Sequence, residues 1–374
     1  MSGSLYIHIP FCLSKCRYCD FNSVPFQKQI ADRYIYALNK EIKSRSRNLQ
    51  LVNTVYIGGG TPTILNSQQL NKIIQILKDS FDIAQDAEIS IEANPGALDR
   101  DKLDAMVCSG INRISIGAQS FIDSELSFLG RKHKSADIDN AVSNARDAGF
   151  ANVSLDLIYG LPKQKLQHWK DSVAKIIALR PEHISAYELT IENNTPLADD
   201  IITGKYIMPD EDLISEMYYF AIKELTDADY QQYEISNFAR SGYKCIHNLN
   251  YWNRGEYLGF GAGAHSFYNG TRQSNIRDIS RYCELIESSS EAVEDLEFIN
   301  EVEAIKEVIF LGLRKSEGID LLLMPVEVAD KIKKAASDLV RSSLVCFDNS
   351  RMKLTQKGFI LSNEVIVRVL SGIE

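Results

Sequence analysis

Leu5-Tyr6-Ile7-His8-Ile9-Pro10-Phe11-Cys12-Leu13-Ser14-Lys15-Cys16-Arg17-Tyr18-Cys19 sets the reading of the whole chain. Its first five residues form an apolar and aromatic run that reads as a short strand. Three cysteines follow within eight residues, spaced C-x3-C-x2-C. In parallel α/β sheets, ligands sit just beyond the C-terminal ends of strands, so soft metal ligands at this position are where the fold would use them.

Working outward, the same unit repeats. Ile30, Tyr34, Leu38 and Ile42 have helical spacing, and residues 54–57 read as a strand ending in Gly58-Gly59-Gly60. A helix with Leu70, Ile73, Ile74, Leu77 and Phe81 on one face leads to a strand over 88–91. Leu103, Met106 and Val107 mark the next helix, which Gly110 can terminate in a left-handed conformation. A strand over 113–116, a helix with Ile138, Ala141, Val142 and Ala145, and a strand over 152–158 follow. Trp169, Val173, Ile176 and Ile177 then precede a sixth strand over 183–188. Six alternations predict a parallel sheet with right-handed crossovers, closing as an α/β partial (β/α)6 barrel.

That core is expected over 1–236. A Gly- and aromatic-rich segment occupies 237–286 and reads as loop, and 287–299 is acidic and Ser-rich enough to suit a linker. Residues 300–374 read as a small, mainly helical C-terminal domain, with a unit resembling a helix–turn–helix and wing.

The chain has 374 residues, 45% of them hydrophobic, and a formal net charge of -9. No stretch approaches the roughly 18 to 20 apolar residues of a membrane span, and the start lacks an export signal. A cytoplasmic location is expected, with peripheral membrane contact left open. No dense Lys/Arg run is present, so nucleic acid is not an expected partner. Cys108, Cys245, Cys283 and Cys346 are scattered and read as buried free thiols.

Thiolates favour iron–sulfur clusters, zinc or Cu(I). Most [4Fe–4S] clusters take four cysteines. Three, with no fourth nearby, leave one iron open to the amino and carboxylate groups of a methionine, whose sulfonium an electron can then cleave. The competing reading is a structural zinc site closed by His8 as H-x3-C-x3-C-x2-C. Other strand ends also carry candidate binding groups: Gly59, Gly60 and Thr61 after the second strand, Glu92 after the third, Gln119 after the fourth and Asp156 within the fifth. An unpaired carboxylate in the apolar surroundings of Asp156 would be costly, and a ligand hydroxyl would satisfy it. Arg131 reads either as a solvated loop cation or as a partner for a ligand carboxylate.

C-x3-C-x2-C after the first strand, with Tyr18 before the last cysteine, resembles the radical S-adenosylmethionine superfamily. Tyr6-Ile7-His8-Ile9-Pro10-Phe11-Cys12, Gly58 to Pro62, Glu92-Ala93-Asn94-Pro95, Gly117 to Ser120, Asp156 to Pro162 and Leu311 to Arg314 resemble the oxygen-independent coproporphyrinogen III dehydrogenase family over nearly the whole chain. The resemblance implies a [4Fe–4S] cluster on Cys12, Cys16 and Cys19. It also implies S-adenosylmethionine contacts from Tyr6, Gly59, Gly60, Thr61, Glu92, Gln119, Arg131 and Asp156. Gln119 and Asp156 are expected at the ribose, Glu92 near the ammonium and Arg131 at the carboxylate. The decarboxylating branch resembles C-x3-C-x2-C-x-C, whereas this chain has Phe21 at the fourth position. His247-Asn248-Leu249-Asn250-Tyr251-Trp252 looks like the signature of the heme chaperone branch. That branch implies bound heme with His247 and Tyr251 as candidate ligands, heme-acceptor proteins as partners and a reductant protein as a further candidate partner. Cys245 and His265 are further candidates for heme attachment or ligation. Decarboxylation of coproporphyrinogen III is the alternative, and DNA regulation through the C-terminal unit a third reading.

Overall fold

The computed structural model describes residues 2–46 and 51–373. Strands β1 (Ser2–Ile9), β2 (Leu51–Gly59), β3 (Ile83–Ala93), β4 (Arg113–Gln119), β5 (Asn152–Tyr159) and β6 (His183–Glu188) run parallel in sequence order. Helices α1 (Lys28–Arg45), α2 (Ser67–Ser80), α3 (Arg100–Cys108), α4 (Asp123–Leu129), α5 (Ser135–Asp147) and α6 (Leu166–Ala178) lie between them. The expected partial barrel is therefore present, with each strand longer than its apolar kernel.

Successive strand residues point to opposite faces. Leu5, Ile7 and Ile9, Val55 and Ile57, Ile89 and Ile91, Ile114 and Ile116 are buried in the core that the helices cover. The alternate positions are polar: Ser4 and His8, Thr54 and Tyr56, Ser90 and Glu92, Arg113 and Ser115, His183 and Ser185. The barrel interior is thus lined with hydrogen-bonding groups rather than packed with branched apolar side chains. α2 starts on an Asn66–Gln69 capping box and α3 on Asp99, which fixes where each crossover helix begins.

Beyond β6, α7 (Pro196–Ile202) and α8 (Glu211–Asp227) lead to β7 (Gln231–Gln232) and β8 (Asn237–Ala239), which add antiparallel strands at one edge. The segment read as loop instead forms helix α9 (Ile246–Trp252) and β9 (Tyr257–Phe260), which pairs parallel with the free edge of β1. β10 (His265–Tyr268), β11 (Thr271–Asn275), α10 (Ile279–Glu287) and β12 (Val293–Phe298) complete that side, giving the order β12-β11-β10-β9-β1-β2-β3-β4-β5-β6-β8-β7. The linker expected at 287–299 is corrected. Its second half, Val293–Phe298, is the edge strand of the sheet, and its charges are exposed because an outermost strand faces water.

Glu41 on α1 ties this second lobe to the barrel. Its buried carboxylate accepts from Tyr282 Oη at 2.6 Å, Asn275 Nδ2 at 2.7 Å, the Gly261 amide at 2.8 Å and Arg45 Nη1 at 2.8 Å. The C-terminal part is mainly helical, as expected: α11 (Glu301–Gly312), α12 (Val326–Arg341), α13 (Gln356–Ile360) and α14 (Ser362–Ser371). A small sheet of β13 (Ile319–Asp320), β14 (Val345–Asp348) and β15 (Arg351–Leu354) accompanies them. It docks through Glu307, which accepts from Arg254 Nε and Arg272 Nη2 at 2.6 Å each. Of the four scattered cysteines, Cys245 and Cys283 are buried, while Cys108 and Cys346 are exposed, at a helix end and on a hairpin. Among the described residues no helix is long and apolar enough to cross a membrane.

Candidate functional site

The C-terminal ends of the six parallel strands surround a cavity of about 730 Å3. Ten of the thirteen site residues named above line it: Cys12, Cys16, Cys19, Gly59, Gly60, Thr61, Glu92, Gln119, Arg131 and Asp156.

The cysteine loop is held by the glycine loop beside it. Gly60 N–H donates to the Ile9 carbonyl at 2.9 Å and Thr61 N–H to that of Phe11 at 2.8 Å, placing Thr61 Oγ1 3.7 Å from Cys12 Sγ. A Cβ on Gly60 would meet Phe11 backbone atoms at 2.6 and 2.9 Å, so the glycine is demanded by this chain crossing. The loop's far end rests on α4, where Arg17 N–H donates to the Leu129 carbonyl at 3.2 Å.

The donor set bears on the two metal readings. His8, which would close a zinc site, has both ring nitrogens engaged, Nδ1 by Tyr6 Oη at 2.9 Å and Nε2 by the Asn22 carbonyl at 2.8 Å. Among the described residues no three His, Cys, Asp or Glu side chains converge closely enough to hold a single ion. Three thiols spread along one loop at a cavity wall fit a cubane, whose irons take one thiolate each, with one iron left open. Closed tetrahedral zinc is the poorer match.

Glu92 projects from the end of β3 and accepts from Tyr56 Oη and from the Gly59 amide, each at 3.0 Å. Burial raises its carboxyl to about 7, with those two bonds opposing. Asp156 takes Ser185 Oγ at 2.7 Å and Ser115 Oγ at 3.2 Å, and burial raises it also. The strand's apolar context was therefore misleading: the residue faces a polar interior. Gln119 is a non-glycine with φ of 67° at an irregularity of β4, a strained conformation that turns it into the site. A Cβ on Gly117 would lie 2.7 Å from both Gln119 Nε2 and Arg131 Nη2, so its absence lets both side chains reach the cavity. Arg131 is not a solvated loop cation. Its Nη2 donates to the Gly117 carbonyl at 3.3 Å, and its buried Nε has no protein partner.

The other three named residues stay outside the lining. Tyr6 donates to or accepts from His8 and stacks at 6.4 Å on Tyr56, one ring behind the wall. His247 and Tyr251 lie on α9, which plugs the barrel from the N-terminal side of the strands. His247 is 1% exposed, with Nδ1 2.8 Å from Thr54 Oγ1 and Nε2 2.9 Å from Tyr251 Oη. Burial lowers its imidazole to about 3. To ligate a heme iron, either residue would first have to give up this mutual contact. Cys245 is buried too, its thiol directed at Glu88. Further lining residues escaped the sequence reading: Tyr56, Arg113, Ser115, His183, Ser185, Tyr187 and Asn248. Most were legible in principle as polar residues at every second position of a strand.

The family model for the Radical SAM superfamily matches residues 6–176, and that for the HemN C-terminal domain matches 299–361. Among solved structures, the coproporphyrinogen III oxidase HemN from Escherichia coli, titled a Radical SAM enzyme, superposes with a TM-score of 0.86 at 25% identity. That match covers 98% of this chain and 89% of that one. By fold and by these matches the chain is a radical S-adenosylmethionine protein. The heme chaperone HemW of Bacillus subtilis is 38% identical over 97% of both chains, and that of Lactococcus lactis 34% identical over 98% of this chain and 97% of its own. The chain belongs to the heme chaperone HemW family.

Proposed function

We propose that this chain is a heme chaperone that carries a [4Fe–4S] cluster on Cys12, Cys16 and Cys19 and S-adenosylmethionine in the adjoining cavity, and that it delivers heme to acceptor proteins. Full-length similarity to relatives named as heme chaperones supports the role. The local observation that carries it is Phe21. It stands where the C-x3-C-x2-C-x-C pattern expected of the decarboxylating branch has its fourth cysteine, is 60% exposed at the cavity rim, and can neither ligate iron nor act as a thiol. Within the cavity, Glu92 is suited to the ammonium, Arg131 to the carboxylate, and Asp156 with Gln119 to the ribose hydroxyls of the cofactor.

Whereas His247 is buried, His265 offers an exposed ring to an iron. It is exposed, and no hydrogen bond engages its ring among the described residues. Its neutral form is favoured by partial burial and by Arg272 and Arg277 nearby. Hemin titration of the anaerobically reconstituted protein tests the role: stoichiometric uptake is expected, weakened in His265→Ala. Absence of binding overturns the chaperone reading. The similarity to the coproporphyrinogen III oxidase keeps one competitor, and release of CO2 from coproporphyrinogen III would establish it instead.

A further inference from the structure

The H-N-x-x-Y-W segment lines the cofactor cavity at Asn248 and touches its supports through His247 and Tyr251. α9 is clamped by the two strands that deliver the cavity's amine-side groups. From β3, the Glu88 carboxylate accepts the amides of Ile246 and His247 at 3.1 Å each, using the unpaired N–H groups of the helix start. From β2, Thr54 Oγ1 meets His247 Nδ1 at 2.8 Å and itself donates to Ser4 Oγ on β1 at 2.8 Å. The imidazole then stacks on the Tyr56 ring, centroids 5.1 Å apart and planes 25° apart.

Tyr56 is the link to the cavity. Its hydroxyl donates to Glu92 Oε1 at 3.0 Å, while Glu92 Oε2 takes the Gly59 amide at 3.0 Å. One ring therefore has the motif's histidine on its face and the candidate ammonium-binding carboxylate on its hydroxyl. Tyr251 fixes the far side of the imidazole, through the 2.9 Å contact with Nε2 and an edge-on ring contact at 4.9 Å.

We propose that His247 and Tyr251 are positioning residues for S-adenosylmethionine: they hold Tyr56, and through it Glu92, in the geometry that receives the cofactor's ammonium. The inference rests on the cofactor reading of the cavity given above. Two features favour it over a role confined to packing. A buried helix could be anchored through its backbone alone, as Glu88 does, whereas here both ring nitrogens and the ring face are specified. In addition, the aromatic contact falls on the residue of β2 whose side chain hydrogen-bonds Glu92.

The test is a double-mutant cycle read by S-adenosylmethionine affinity, measured calorimetrically on the cluster-loaded protein, with urea stability followed in parallel. His247→Asn keeps a partner for Thr54 but removes the ring from Tyr56, and is expected to weaken binding by roughly three- to tenfold. His247→Phe restores a ring on Tyr56 and is expected to recover most of that affinity despite a stability loss. In a Tyr56→Phe background, where the hydroxyl on Glu92 is gone, His247→Asn should change affinity little while still lowering stability. Equal affinity losses for His247→Asn in both backgrounds, or no rescue by His247→Phe, would overturn the proposal. If the unaltered protein binds no S-adenosylmethionine, the cofactor reading itself falls, an outcome visible before any variant is made.

Discussion

Replacing Glu92 by glutamine keeps the side chain's shape and removes its charge. In the cofactor-free protein this carboxyl titrates at about 7, against an ordinary 4.5, because it is enclosed at the cavity wall. Between those values the folded state holds a proton that the unfolded chain has released, so this group makes stability fall as pH rises from 4.5 to about 7. The full cost above pH 7 is about 3 kcal/mol by that linkage, reduced to about 2 kcal/mol because the residue is only half-buried at the cavity wall. The amide oxygen of glutamine can satisfy one of the two donors, Tyr56 Oη or Gly59 N–H, and the loss of the other costs about 1 kcal/mol. Glu92→Gln is therefore expected to be about 1 kcal/mol less stable than its parent at pH 4.5 and about 1 kcal/mol more stable at pH 8. Anaerobic urea denaturation at the two pH values measures this. Buried His247 and His133, lowered by burial to about 3 and 4, impose the opposite pH slope, but both proteins share it and the difference removes it. A stability difference that is the same at both pH values would refute the reasoning. The same variant should lose the stabilisation that added S-adenosylmethionine gives its parent.

Gly60→Ala forces a methyl to within 2.6 Å of Phe11 backbone, and the cysteine loop is expected to shift, with a stability loss of about 1–3 kcal/mol in urea and less cluster retained per chain. Glu41→Ala strands the Tyr282 hydroxyl and the Gly261 N–H in the core and leaves Asn275 Nδ2 only the Gly261 carbonyl, and should cost about 3 kcal/mol or more in urea denaturation. Cys16→Ser should give a colourless protein after anaerobic reconstitution that would otherwise leave it brown. Retention of the full iron and sulfide content would exclude Cys16 as a ligand.

The barrel was legible because each of its strands carries a compact apolar kernel and each crossover helix an apolar stripe, signals that act over a few residues. The plug was not. His247 reads as an available ligand until β9 is seen to pair with β1, a contact between residues 4–7 and 257–260 that brings α9 under the strands. Gly259 made β9 look like a loop, although a Cβ there would sit 2.0 Å from the His265 carbonyl oxygen of the neighbouring strand. Glu294, Asp295 and Glu297 gave an edge strand the composition of a linker. Within the site, cysteine spacing and strand-end carboxylates were readable from local pattern. Arg113 and Ser115 show the same alternation around Ile114 on β4, but only the barrel's curvature says which side is wet.

The late partner of β1 has a consequence for birth of the molecule on the ribosome. One side of this strand can zip to Leu51–Gly59 soon after emerging, but the other must wait for Tyr257–Phe260, about 200 residues later. At the usual pace of translation that interval is roughly ten to forty seconds. For that time the nascent chain shows a bare, apolar strand border right beside its three thiols. Stalling or premature termination upstream of residue 257 prolongs the exposure and invites pairing with a neighbouring chain.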